Sequence, residues 1–282
     1  MFSSYPCIQQ SPACGFATLR NTQYAIQKDF LVYTTDQYEG MIAETIVIPG
    51  HNGDPIRAYY ARPLGPGPFP AMVLIHHFPG WDEWYREATR KFAHHGYLTI
   101  SPNLYERMGH GTPEDMGAAA RAAGGLPDDQ AVGDMAAAMR FVKSQAQSNG
   151  KVGIFGTCSG GRHAYLAACR APGFDAVVNC WGGRVVMPPE QLTANWPVAP
   201  VDYTADLPCP ILGLFGADDR SPTPADVDVL EAALKKHGKA YDFHLYEGAG
   251  HGFFYYDRGA YRQESAVDGW SKIWAFLAKN LQ

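Results

Sequence analysis

Apolar and polar positions alternate with two periods along this chain, and the switches between them mark its elements. Two strand-like runs come first. Ile42–Ile48 leads through the turn residues of 49–54 into Ile56–Tyr60, the pattern of a hairpin. A loop rich in Pro and Gly follows over 63–70. From Ala71 onward, short apolar runs predict buried strands at Met72–Ile75, Tyr97–Ile100, Lys151–Gly156, Ala176–Cys180, Ile211–Phe215 and Tyr241–Tyr246. Between them the period lengthens. Trp84, Ala88 and Phe92 recur at four-residue steps in a helix over 82–95 that Gly96 stops. Val132, Met135, Met139 and Val142 share one face of a helix over 129–145. Helical patterns also cover 163–169, 225–237 and 263–281, and the Gly- and Ala-rich stretch 105–127 reads as a loop with a short helix.

Strand and helix in alternation predict the α/β class, with a mostly parallel central sheet and helices on both faces. Residues 1–40 do not share the pattern and read as an N-terminal extension on the surface of one domain spanning 41–282. Residues 183–206 are proline-rich and aperiodic, as expected of an insertion or lid.

Bulk composition narrows the function. With 282 residues, 46% hydrophobic and 18% charged, the chain can bury a substantial core. A net charge of -5 gives no reason to expect nucleic acid or an anionic membrane as a partner. No apolar run approaches the ~20 residues of a membrane span. The first residues show neither a basic nor an apolar signal region, so a cytoplasmic protein is expected. Six scattered cysteines without a C-x-x-C spacing argue against a disulfide or zinc framework. His76 and His77 end a strand and would point to opposite faces, and His94 and His95 sit at a helix end. No metal is expected. Neither a dinucleotide fingerprint in register nor a P-loop is present, so no cofactor is expected either.

The chemistry concentrates at Gly156-Thr-Cys158-Ser-Gly160-Gly161, between a strand and a helix. This is the spacing of a nucleophile elbow, with Cys158 on the turn. The glycines suit a turn too tight for neighbouring Cβ atoms. A thiol at a helix N-terminus meets backbone N–H groups that favour a thiolate and can hold an oxyanion. A Cys between glycines is also what a small buried residue looks like. Partners decide between the two. A thiol nucleophile needs a base and the base an orienting acid, in the chain order nucleophile, acid, histidine. Asp218 and Asp219 follow the strand ending at Phe215, and His251 follows the strand ending at Tyr246. Asp218, nearer the strand end, is the expected acid and Asp219 the alternative. Taken alone, either could be a turn or capping residue.

These residues resemble the dienelactone hydrolase family, of the α/β-hydrolase fold. The resemblance runs from about Ile42 to the C-terminus. It rests on Gly156–Gly161, Gly216-Ala-Asp218 with Pro222, Ala249-Gly-His251, and Ser101-Pro-Asn-Leu-Tyr-Glu-Arg107. It implies a Cys158–His251–Asp218 triad that opens lactones or cleaves esters through an acyl-enzyme, without metal or organic cofactor. It also implies an oxyanion hole from the backbone N–H groups of Phe78 and Ser159, and Arg107 as a clamp for a substrate carboxylate. The chain departs from the family at two places. His77 stands where the family has a glutamate that activates the thiol; it could be a base, a hydrogen-bond donor to substrate, or a histidine bound to backbone. Tyr255 stands where a second carboxylate-binding arginine is expected. With Trp81 and Trp181 near the motifs, these residues predict a substrate-binding surface that is more aromatic and less cationic, and a substrate other than simple dienelactone. The expected partner is a small-molecule lactone or ester, acting on a monomer or homodimer. Acyl transfer or thioester hydrolysis on the same triad, and a non-catalytic ligand-binding fold, are the alternatives.

Overall fold

A computed structural model describes residues 40–282; all but the last residue of the expected extension lies outside the described residues. Among the described residues eight strands form one sheet. The hairpin is β1 (Met41–Pro49) and β2 (Pro55–Pro63), paired antiparallel from Met41 opposite Pro63 to Pro49 opposite Pro55. β2 joins β4 (Leu98–Pro102) antiparallel. The remaining pairs are parallel: β4 with β3 (Phe69–Ile75), β3 with β5 (Ser148–Thr157), then β6 (Ala176–Cys180), β7 (Ile211–Gly216) and β8 (Tyr241–Tyr246). This is the α/β-hydrolase fold.

Parallel strands covered on both faces must be apolar throughout, and β3, FPAMVLI, is buried at every position. Its side chains alternate between two cores. Ala71, Val73 and Ile75 pack with α3 (Asp128–Lys143), α4 (Ser159–Arg170) and α5 (Pro224–Lys236). Met72 and Leu74 pack with α1 (Glu83–His94) and α6 (Gln263–Leu281) on the other face. The remaining helix, α2 (Pro113–Ala122), lies in the stretch expected to hold a short one; Thr112 and Asp115 close a capping box at its start.

The segment 183–206 contains two 3-10 turns, Pro189–Gln191 and Pro200–Asp206. It is tied to the loop after α2. Trp196 Nε1–H donates to the Leu126 carbonyl at 2.9 Å, and the Asn195 amide donates to the Ala123 and Gly125 carbonyls at 3.0 Å. Among the described residues no helix is long and apolar enough to cross a membrane. No group of three His, Cys, Asp or Glu side chains there could hold a metal ion.

Candidate active site

The loops after β3, β5, β7 and β8 leave the same edge of the sheet and meet there. β5 delivers Thr157, and Cys158 follows at φ 56° and ψ -127°, in the N-cap position of α4. A non-glycine residue in this region is strained and persists only where its surroundings fix it. They do so through very close backbone contact. A Cβ on Gly156 would lie 2.0 Å from the Gly160 carbonyl oxygen, and one on Gly160 would lie 2.1 Å from that of Ile75. The helix therefore starts at Ser159, directly behind the thiol, earlier than the apolar period alone suggests.

The Cys158 thiol is hydrogen-bonded to His251, and the backbone N–H groups of Phe78 and Ser159 point at it. Burial pushes the thiol pKa up, but the His251 bond, the His251 charge and the two N–H groups outweigh it, and the net shift is downward. Burial likewise opposes a charge on His251. Its bonds to Asp219 and Cys158 prevail and raise it to about 10. Each shift favours the charged form of its group.

The carboxylate behind His251 is Asp219, not Asp218. His251 Nδ1 meets Asp219 Oδ2 at 2.9 Å, which leaves Nε2 for the thiol. The other carboxylate oxygen accepts the Ser221 N–H at 2.8 Å, and the Asp219 side chain is 2% exposed. The reason lies in the turn. Asp219 N–H bonds back to the Gly216 carbonyl, Asp218 N–H is spent on the Ala249 carbonyl, and the Asp218 side chain faces outward. The helix-cap role falls to Thr223, which forms a capping box with Asp226.

A cleft of about 720 Å³ opens over Cys158, Ser159 and His251. Of the expected substrate-binding residues His77, Trp81, Arg107, Trp181 and Tyr255, none lines it. Arg107 is held by Asp54 at 2.8 Å and by Asp134 at 2.8 and 3.1 Å, where it staples the β1–β2 turn to α3. Trp181 is fully buried against Phe253 and Phe254 behind His251. Trp81 is buried with its N–H on Ser101 Oγ. His77 and Tyr255 are buried and bonded to each other at 2.9 Å. Burial of aromatic rings in a core accounts for the placement of Trp81, Trp181 and Tyr255.

The cleft wall is built instead from Tyr105, Arg121, Arg162, Arg184 and Trp196. Arg162 is buried and pairs with buried Asp128 at 2.5 and 3.1 Å. Arg121, Arg184 and the nearby Arg220 are exposed, and none forms an ion pair with a carboxylate among the described residues. Arg184 lies 5.0 Å over the Trp196 ring, and Arg121 lies 5.0 Å over Phe78. The sequence signal for these was thin: Arg162 directly follows the elbow glycines, and Arg184 and Trp196 sit in the aperiodic segment.

A thiol on the turn after β5, a carboxylate after β7 and a histidine after β8, on a parallel-centred sheet, define an α/β-hydrolase with cysteine at its elbow. The chain matches the model of the dienelactone hydrolase family over residues 56–281, and it belongs to that family. It is 35% identical over 237 residues to a Methylorubrum extorquens protein provisionally named carboxymethylenebutenolidase, covering 83% of this chain and 80% of that one. It is 30% identical over 254 residues to a Bradyrhizobium protein provisionally named 2-oxo-3-(5-oxofuran-2-ylidene)propanoate lactonase, covering 86% and 98%. The crystal structure of a Klebsiella pneumoniae protein provisionally described as a dienelactone hydrolase superposes with a TM-score of 0.76 at 32% identity, covering 85% of this chain and 99% of that one.

Proposed function

We propose that this hydrolase opens lactones or cleaves carboxylic esters through a Cys158–His251–Asp219 triad and an acyl-enzyme. The observation that carries the reading is the double engagement of one sulfur: Cys158 is bonded to His251 and faced by the N–H groups of Phe78 and Ser159. The thiolate attacks the carbonyl carbon. The two N–H groups then hold the oxygen as it becomes an oxyanion, and losing one such donor costs about 3 kcal/mol in comparable sites. The carbon–oxygen bond breaks, and the leaving oxygen takes the proton from His251 Nε2. Neutral His251 next accepts a proton from water as that water attacks the thioester. The carbon–sulfur bond breaks, and a carboxylic acid and the thiolate are released. Asp219 keeps the Nδ1 proton of His251 in place throughout.

The names of the two relatives support a lactone as substrate. The wall of exposed arginines favours one that carries a carboxylate, so this role passes from the expected Arg107 to Arg121, Arg184 and Arg220. Trp196 offers a flat face for an unsaturated ring.

Mass spectrometry of the Cys158 peptide after rapid quenching tests the reading. A lactone keeps its leaving oxygen attached, so the peptide gains the mass of the whole lactone; an ester adds only its acyl part. Cys158→Ala abolishes both the adduct and turnover. Turnover that survives in this variant removes Cys158 from the mechanism.

A further inference from the structure

His77 and Tyr255 are departures from the family pattern, and both lie beneath the site rather than in it. Their hydrogen bonds form one buried chain. His77 Nε2 meets Asp82 Oδ2 at 2.7 Å, and His77 Nδ1 meets the Tyr255 hydroxyl at 2.9 Å. That hydroxyl meets Thr157 Oγ1, which also bonds the Tyr85 hydroxyl. Tyr85, Thr157, His77 and Tyr255 are all nearly inaccessible to solvent, at 0%, 0%, 1% and 3% exposure.

The direction of the chain follows from its end. Burial works against the charge of Asp82, but the His77 bond, the Tyr85 N–H and the electrostatic pull of His77 and Arg258 together outweigh it and favour the carboxylate. A carboxylate only accepts, so His77 Nε2–H donates to it. In the tautomer with its single proton on Nε2, His77 Nδ1 accepts from the Tyr255 O–H. Tyr255 oxygen accepts from Thr157, and Thr157 accepts from Tyr85. Burial pushes both tyrosine pKa values far up, so each keeps the proton it donates. Each donor is used once. Both nitrogens of His77 are occupied, and neither is left for the thiol.

The sequence positions give this chain its meaning. His77 immediately precedes Phe78, whose N–H faces the sulfur. Thr157 immediately precedes Cys158. Tyr255 closes the turn that begins at His251, its N–H bonded to the Gly252 carbonyl at 3.0 Å. The loops after β3, β5 and β8 are therefore pinned together by one continuous run of hydrogen bonds, directly under the atoms they present.

We infer that Asp82, His77, Tyr255 and Thr157 form a positioning strut that holds the oxyanion donor, the thiol and the base in register, and that His77 acts through Tyr255 and not as a base. This rests on the Cys158 reading above. Loss of the strut leaves the pocket intact and spoils alignment, which shows in kcat more than in KM.

The test compares Tyr255→Phe, His77→Ala, His77→Gln and Asp82→Asn. For each, kcat, KM, the thermal midpoint and the pH dependence of Cys158 alkylation by iodoacetamide are measured. A Gln amide offers an acceptor and a donor in the same one-three relation as the two imidazole nitrogens but cannot take a proton. Asp82→Asn keeps the oxygen that caps α1 and covers the case where His77→Ala does not fold. Tyr255→Phe and His77→Ala are expected to lower kcat by roughly 10- to 100-fold, to change KM less, and to move the alkylation midpoint. His77→Gln recovers most of kcat. Unchanged kcat with only a lowered thermal midpoint in Tyr255→Phe and Asp82→Asn reduces the strut to a stability element and overturns the inference. His77→Gln as inactive as His77→Ala also overturns it, because the imidazole is then moving a proton. Failure of Cys158 to alkylate in the unaltered protein would instead remove the nucleophile assignment, a separate result.

Discussion

Asp219 and His251 meet at 2.9 Å with the carboxylate buried, while Asp218, one residue earlier, turns its side chain outward. A neutral amide at 219 keeps an oxygen for the Ser221 N–H but no longer favours the proton on His251 Nδ1 or the charge on the ring. Asp219→Asn is therefore expected to lower kcat/KM by about 10²- to 10⁴-fold. Asp218→Asn should stay within about twofold, as is usual for an outward-facing side chain. Steady-state rates on any activated ester separate the two; equal losses would reassign the acid.

The thiolate–imidazolium pair sets a pH window. His251 is raised from 6.5 to about 10 by its partners, against the pull of burial. Its stabilising contribution is complete below the unfolded value and is lost as pH rises through about 10. Cys158 is lowered, so its contribution is present above the unfolded thiol value and is lost as pH falls through the folded one. Iodoacetamide should therefore label Cys158 with a midpoint below the ~8.5 of an ordinary thiol, and His251→Gln should move that midpoint upward. kcat/KM should form a bell whose acid limb reports the thiol and whose alkaline limb reports the imidazolium.

Much of this could be read from the chain because the deciding forces were local. β3 and β6 are buried on both faces, so their apolar runs marked them directly. The elbow was legible because Gly156 and Gly160 answer to contacts within one strand–turn–helix unit and the neighbouring β3. What failed depended on distance or on phase. Asp219 differs from Asp218 by one step of a turn, and the backbone bond from Asp218 to Ala249 that fixes this phase joins two loops. Arg107 looked like a substrate clamp because Asp54 and Asp134, which claim it, lie 53 and 27 residues away. Trp181 and Tyr255 adjoin the motifs in sequence yet point into the core, while Trp196 and Arg184 reach the cleft from an aperiodic segment.

The two arginine environments predict opposite phenotypes. Arg184 is exposed at the cleft without a carboxylate partner among the described residues, so Arg184→Ala should raise KM about three- to tenfold for a carboxylate-bearing substrate at low salt, less as salt screens the charge. A neutral ester should be unaffected. Arg107→Ala should leave both KM values alone. It takes the cation from Asp134, whose side chain is fully buried and keeps only the His51 N–H among the described residues, and should cost up to about 3 kcal/mol in denaturant unfolding. A KM effect in Arg107→Ala would return that residue to the substrate.

Gly160 decides between two opposing effects of a single methyl group. It lies in the first turn of α4 at an ordinary helical φ, where alanine is intrinsically favoured by up to about 1 kcal/mol. The Cβ, however, would sit 2.1 Å from the Ile75 carbonyl oxygen and 2.8 Å from that of His76. Both contacts are backbone at the end of β3, so no flexible side chain can move aside. Gly160→Ala is expected to destabilise by at least about 1–3 kcal/mol, despite the better propensity. Because the displaced backbone leads within two residues to Phe78, the variant should also lose kcat at temperatures where it remains folded. Gly259→Ala is the control: a Cβ there meets nothing within 4 Å, and its thermal midpoint and kcat should match the parent protein. A thermal midpoint for Gly160→Ala at or above that of the parent would show that β3 and α4 can separate without cost, and that the elbow is not held by backbone contact.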